Sequence, residues 1–192
     1  MKYPLVYLIY KETEIKVIRP ITITPAKILS STATEIYATW SSATTYALAD
    51  KVVYNDKIYE SLIASNLNKQ PNTNPTSWLD LGASNKTAMF DIQVNTQTTA
   101  TTSFTVRFQP GSAFNAVSFL NLVGNTITVT VKDSPTGSVV YTETIQLDNS
   151  SSDVIDWYTY FFEDFDLRTE VVFQNIPPYA NGVIEVTISA GI

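Results

Sequence analysis

The sequence contains no cysteine and no histidine among its 192 residues. Without cysteine, neither a disulfide framework nor a thiolate zinc site can form. Without histidine, the chain lacks the side chain that most often acts as acid or base near neutral pH, and a Ser-His-Asp triad is excluded. Glycine-rich nucleotide loops and the G-x-S-x-G motif are missing as well. We therefore predict a protein that is not an enzyme and that holds neither a metal nor a cofactor.

Charge is also scarce, and what there is of it is mostly negative. Charged residues make up 16% of the chain, and the net charge is −6. Contacts with nucleic-acid phosphates and with anionic membranes need clustered Lys and Arg side chains, and the sequence has no basic run. No apolar run approaches the roughly 18 residues that a membrane-spanning helix needs. We expect neither a nucleic-acid partner nor membrane insertion.

The composition that remains favours strands over helices. Aromatic residues reach 12%, while only 6 glycines are present, so the turns must use Asn, Asp, Ser and Pro. From residue 88 onward, short runs of alternating character follow one another between turn signals, a rhythm typical of a β-sandwich. We predict a mainly β protein whose residues 88–192 form a jelly-roll-like β-sandwich. The predicted strands are 89–94, 103–108, 116–120, 126–131, 139–145, 157–162, 170–173 and 183–188.

The N-terminal segment, residues 1–37, is too short for a domain of its own. Residues 3–10 form an apolar and aromatic run, and residues 13–18 alternate in the manner of a half-buried strand. Residues 26–36 carry the best helical pattern of the segment, weakened by a Ser-Ser-Thr-Ala-Thr run. We predict an extended arm or edge hairpin that packs on another domain or on a neighbouring subunit.

The stretch 40–82 carries the clearest pattern in the chain. A Trp opens it, two short strands meet at an Asn-Asp turn, and a loop with two prolines ends in a second Trp. The stretch resembles the small chitinase-type carbohydrate-binding module, a three-stranded β unit that also occurs in bacteriophage tail and baseplate proteins. We place this unit at residues 38–83. The positions that carry the resemblance are Trp40, Tyr46, Asp50, Val52, Tyr54, Tyr59, Pro71, Pro75 and Trp78.

The resemblance implies that aromatic side chains of this unit stack on sugar rings. The candidate carbohydrate-binding residues are Trp40, Tyr54, Tyr59 and Trp78. The alternative is that they form the core of the unit, since so small a domain needs its large aromatics inside, and we favour this for all but Tyr54. Chitin-binding members carry adjacent aromatics after the second strand, and residues 60–64 contain none. The sequence therefore disfavours tight chitin binding.

Two C-terminal features allow more than one interpretation. A group of acidic residues fits a calcium site, a pair of glycosidase carboxylates or a solvated loop. The spacing of these residues matches neither a calcium-binding loop nor a carboxylate pair. Residues 157–162 are aromatic on both faces of a predicted strand, which fits an interface or a well-covered core equally. The acidic residues are Asp153, Asp156, Glu163, Asp164 and Asp166.

The resemblance and the missing catalytic apparatus together predict a structural protein. We expect a non-enzymatic component of a bacteriophage virion, assembled in the host cytoplasm as a tail, baseplate or fibre-attachment protein. Its partners would be other tail or baseplate proteins and further copies of itself. The main alternative is a lectin-like protein that recognises a host-surface glycan. A glycan-degrading enzyme with an attached binding module is a third hypothesis.

Overall fold

The computed structural model describes residues 7–11, 14–93, 96–147 and 168–190, and they are mainly β, as predicted. The chain divides into two compact units. One comprises residues 33–100 and is called the insert below; the other comprises 1–32 and 101–192 and is called the host unit. The host strands are β1 Tyr7–Lys11, β2 Glu14–Ile18, β3 Ile28–Ser31, β9 Phe104–Phe108, β10 Val117–Phe119, β11 Thr126–Lys132, β12 Val139–Gln146, β13 Val171–Phe173 and β14 Val183–Ile188. The insert strands are β4 Thr45–Tyr46, β5 Lys51–Tyr54, β6 Lys57–Ser61, β7 Asn66–Leu67 and β8 Trp78–Ala83.

A five-stranded antiparallel sheet in the order β12-β11-β14-β9-β3 forms the centre of the host unit. Strand β11, which lies between β12 and β14, alternates strictly in burial: Ile127, Val129 and Val131 are buried, and the residues between them are half-buried. This is the period-2 pattern that the sequence shows at 126–131, and it is typical of a sheet with one covered face. Strands β9 and β14 add Val106, Phe108, Ile184 and Val186 to the buried face.

The opposite face of this sheet carries a row of threonines in register. Thr144, Thr128, Thr187 and Thr105 stand directly opposite one another across four strands. The hydroxyls pair at 2.8 Å between Thr128 and Thr144 and at 2.9 Å between Thr105 and Thr187. Cross-strand Thr–Thr hydrogen bonds stabilise a sheet and give its outer face a polar surface.

A smaller pair of strands, β10 and β13, accompanies the five-stranded sheet. The Phe119 and Phe173 rings meet edge to face across this pair, with their centroids 5.8 Å apart. Phe173 and the nearby Ile176 are fully buried. Two antiparallel sheets with buried apolar residues are consistent with a β-sandwich-like fold. Strands β1 and β2 form an antiparallel hairpin. The predicted strand at 157–162 and the acidic residues at 153–166 lie outside the described residues.

The helix indicated by the pattern at 26–36 does not form. Pro25–Lys27 form a single 3-10 turn, and Ile28–Ser31 then pair with β9 at the edge of the five-stranded sheet. The Ser and Thr residues of this segment have low helix propensity, and the open edge of β9 supplies hydrogen-bond partners that a short helix would lack. The N–H of Thr32 extends the pairing by donating to the Thr105 carbonyl at 2.9 Å.

The division into units differs from the predicted segments 1–37, 38–83 and 88–192. Residues 28–32 belong to the host sheet, and residues 84–100 belong to the insert. Because β3 and β9 are adjacent antiparallel strands, the whole insert occupies the position of a hairpin turn between them. Insertions at such connections are tolerated well, since the chain leaves and re-enters at neighbouring points.

Candidate functional site

The insert is built around a three-stranded antiparallel sheet in the order β5-β6-β8. Asn55 and Asp56 join β5 to β6, and both have positive φ, at 48° and 59°. A two-residue hairpin of type I′ needs this conformation at both positions, and Asn and Asp tolerate it better than other side chains. The turn therefore fixes the register that places Val52 opposite Tyr59.

One face of this sheet buries an aromatic core. Tyr46, Val52, Tyr59 and Trp78 form the core, and Trp78 is only 2% exposed. The Tyr46 and Trp78 rings meet edge to face at 5.3 Å, which is a favourable geometry for aromatic pairs. The Trp78 Nε1–H donates to the Lys69 carbonyl at 2.7 Å, so its polar end is satisfied inside the insert.

The four candidate sugar-binding residues fall into two groups. Tyr59 and Trp78 are buried in the aromatic core, whereas Trp40 and Tyr54 are half-buried and pack against it. The Trp40 and Tyr54 rings are nearly perpendicular, at 81°, with their centroids 5.4 Å apart. Flat stacking on a sugar needs an accessible ring face, so only Trp40 and Tyr54 retain surface for it. Their role in carbohydrate binding stays a prediction.

The backbone of the insert holds Trp40 close to the sheet. The Trp40 N–H donates to the Val53 carbonyl, and the Val53 N–H donates to the Ala38 carbonyl, both at 2.9 Å. Residues 38–40 thus run parallel to β5 and continue the sheet by a short fourth segment. The indole is held by this pairing and by the Tyr54 ring, which limits how far it can turn toward a ligand.

The other face of the insert sheet carries leucines that sequence reasoning missed. Leu79 and Leu81 of β8 are 46% and 40% exposed. Leu79 stands opposite Glu60, which forms an ion pair with Lys51 on the next strand at 3.6 Å. The alternation of Leu79 and Leu81 along β8 is the sequence signal that could have identified this face. Because Trp78 is buried in the core, the two leucines lie on the opposite face.

An ion pair closes the end of this sheet between β6 and β8. Lys57 Nζ lies 2.5 Å from the Asp80 carboxylate, which also accepts the Gly82 N–H at 2.9 Å. Burial works to raise the pKa of Asp80, but the hydrogen bonds from Lys57 and Gly82 outweigh it and hold the pKa below 3.8. The hydrogen bond to Asp80 raises the pKa of Lys57 above 10.5, against a smaller opposing effect of burial.

This pair makes the stability of the insert depend on pH in the acid range. Because the Asp80 pKa is lower in the folded state, its contribution is complete above pH 3.8 and is lost as the pH falls through the folded pKa. Both side chains are about half exposed, so we expect a loss of no more than about 1 kcal/mol. Thermal unfolding of the wild type at pH 6 and pH 3 measures it. Asp80→Asn and Lys57→Gln each remove one member of the pair, and both should reduce the difference in unfolding free energy between the two pH values. A difference that stays as large as in the wild type in both variants would contradict this assignment.

A buried asparagine joins the two ends of the insert. The Asn85 side-chain amide donates to the carbonyls of Thr34 at 2.7 Å and Thr99 at 2.8 Å. Its carbonyl oxygen accepts the Thr99 N–H at 2.9 Å. Asn85 is 4% exposed, and no other side chain offers two donors and an acceptor in this flat arrangement except glutamine, which is longer. The first and last residues of the insert are therefore held together from within it.

The described residues form neither a metal-binding group nor a membrane-spanning helix. Within 7–11, 14–93, 96–147 and 168–190, no three Asp or Glu side chains converge as a metal-binding group. The same ranges contain no helix of the length and apolar character that crossing a membrane requires. The arrangement that stands out is instead a small unit with its aromatics packed inside and its ends tied together.

Comparison with protein-family models and with curated proteins finds no match to this chain.

Proposed function

We propose that this chain is a non-enzymatic structural component of a bacteriophage virion, part of the tail, the baseplate or a fibre attachment, present in several copies. The observation that carries the proposal is the position of the insert in the chain and the way its ends are held together. It is closed by its own aromatic core and by Asn85, and it replaces a turn between two neighbouring strands of a larger sheet. A self-contained unit that the chain inserts between two paired strands supports a structural role for this protein.

The resemblance of residues 40–82 to modules found in phage tail and baseplate proteins supports a location in a phage particle. The side chains of these residues support a structural role. Tyr59 and Trp78, which a sugar-binding module would use for stacking, serve here in packing. The exposed leucines of the insert sheet, Leu79 and Leu81, suit protein contacts better than sugar contacts. Partners would be other tail or baseplate proteins and further copies of this chain.

Immunogold electron microscopy of purified particles tests the proposal. An antibody against the chain should label one region of the virion, with several gold particles at each labelled site. Antibody that has been adsorbed with the purified chain serves as the control and should give no label. Virions that stay wholly unlabelled, together with the absence of peptides of this chain in their mass spectra, would contradict a virion location.

Recognition of a surface glycan is the second candidate, and one observation favours it. Trp40 and Tyr54 are the two aromatic candidates that keep exposed surface, and their rings meet edge to face. A glycan array probed with the full chain tests this role. Saturable binding that disappears in Tyr54→Ala and persists in Tyr179→Ala, a change at an exposed tyrosine of the host unit, would support it. Binding that both variants retain would place the glycan elsewhere.

A further inference from the structure

A cavity of about 370 Å³ in the host unit lies between the segment that follows β2 and the loop that joins β9 to β10. We call it the Arg19 groove. Arg19 and Ile21 line it from one side, and Ser112, Phe114 and Asn115 line it from the other. Its volume falls at the lower end of the range of about 300–1,000 Å³ that small-molecule sites occupy. It therefore has room for a small ligand or for one unit of a polymer.

The loop side of the groove is anchored rather than loose. Phe114 is buried, and its ring packs close to Gly182, where an added Cβ would come within 3.2 Å of the ring. The backbone carbonyl of Asn115 accepts the Ile176 N–H at 3.1 Å. Gly111 has a φ of 76° and turns the chain within this loop. These contacts fix the backbone that presents the Ser112 hydroxyl and the Asn115 amide.

Charge identifies the class of ligand. Of the described residues that line the groove, Arg19 is the one that carries a charge. Among the residues that the structure describes, no carboxylate lies within 4.0 Å of its guanidinium. A guanidinium presents a planar fork of donors that matches a carboxylate with two parallel hydrogen bonds. In a chain with a net charge of −6, such a cation marks a local site for an anion rather than a general attraction.

The remaining lining suits a sugar acid. A peptide that adds to a sheet needs a free strand edge, whereas residues 19–21 and 112–116 lie outside the strands, and the Asn115 carbonyl is already used by Ile176. The lining includes two exposed polar side chains, the Ser112 hydroxyl and the Asn115 amide. These suit the hydroxyls of a sugar, while Ile21 and Phe114 provide an apolar floor for its C–H face. We propose that the Arg19 groove binds a uronic acid unit of an acidic polysaccharide.

Titration of the full-length chain with methyl β-D-glucuronide, followed by ¹H–¹⁵N NMR, tests the proposal. Saturable shifts in residues 112–116 are expected, and methyl β-D-glucoside, which lacks the carboxylate, should bind at least about ten-fold more weakly. Arg19→Gln should weaken glucuronide binding by a similar factor. Asn115→Asp, an exposed change that adds a repelling carboxylate, should do the same without relying on Arg19. Lys132→Gln, which removes the same charge elsewhere in the host unit, should have no effect.

Three outcomes would overturn the assignment. Equal weakening in Arg19→Gln and Lys132→Gln would show general electrostatic attraction. An acetylated glutamate peptide that binds at residues 112–116 more tightly than the glucuronide would identify a peptide site instead. No saturable shift with either probe would show that the groove binds no carboxylate. The groove belongs to the host unit, so none of these results bears on the virion location of the chain, and the two proposals fail separately.

Discussion

Replacement of Trp78 by alanine is expected to unfold the insert and to leave the host unit folded. The indole is 2% exposed, packs edge to face on Tyr46 and donates its N–H to Lys69. Truncation of a buried tryptophan costs about 3–5 kcal/mol. A domain of this size rarely has more than about 3–5 kcal/mol of stability in total. The expected loss therefore equals the whole free energy of unfolding that a unit of this size has.

Thermal unfolding and ¹H–¹⁵N NMR of the full-length chain measure this effect. In Trp78→Ala, cross-peaks from β5, β6 and β8 should collapse toward random-coil positions while those of β11 and β14 stay in place. Leu79→Ala is the matched control, because it removes a large side chain from the adjacent position on the exposed face and should cost little. An insert that keeps its spectrum without the indole would show that the aromatic core does not hold it together.

Asn85→Ala is expected to destabilise the insert by about 2–4 kcal/mol. The substitution removes the hydrogen bonds to Thr34 and Thr99, each of which contributes about 0.5–1.5 kcal/mol, and leaves a small cavity. Because Thr34 and Thr99 lie at the two ends of the insert, their release should fray it from its ends inward. Hydrogen exchange at residues 33–36 and 96–100 measures this fraying directly.

Two further variants separate the hydrogen bonds of Asn85 from its bulk. Asn85→Asp keeps the shape but turns both donors into acceptors that face carbonyl oxygens, so it should destabilise the insert at least as much as alanine does. Asn72→Ala removes an exposed asparagine of the same unit and should be nearly neutral. If Asn85→Asp proved as stable as the wild type, the amide would not be the clamp that we describe.

The parts of the fold that follow from local pattern could be predicted from the sequence. The alternation of Ile127, Val129 and Val131 with threonines predicts a sheet with one buried face, and the burial of these three residues confirms it. The Asn55-Asp56 turn likewise follows from residues that tolerate positive φ. In both cases neighbouring residues alone set the conformation, so a single sequence contains the necessary information.

The parts that depend on distant partners could not be predicted. Residues 28–31 become a strand because β9, more than seventy positions later in the chain, offers them an open edge. The role of Asn85 depends on Thr34 and Thr99, which lie far from it in the sequence, and the small polar residues around it give no sign of these partners. The size of Tyr59 and Trp78 predicts their burial, but no pattern in the sequence predicts the perpendicular pairing of Trp40 with Tyr54.

The insert is a self-contained unit that the chain places between β3 and β9 of the host sheet. Excision of residues 33–100, with a short Gly-Ser turn joining Thr32 to Thr101, tests this independence. We expect the ¹H–¹⁵N cross-peaks of β9, β11 and β14 to overlay those of the full-length chain. We also expect residues 33–100 alone to give a dispersed spectrum and a cooperative thermal transition. Collapse of the host spectrum after excision, or an unfolded insert on its own, would show that the two units do not fold independently.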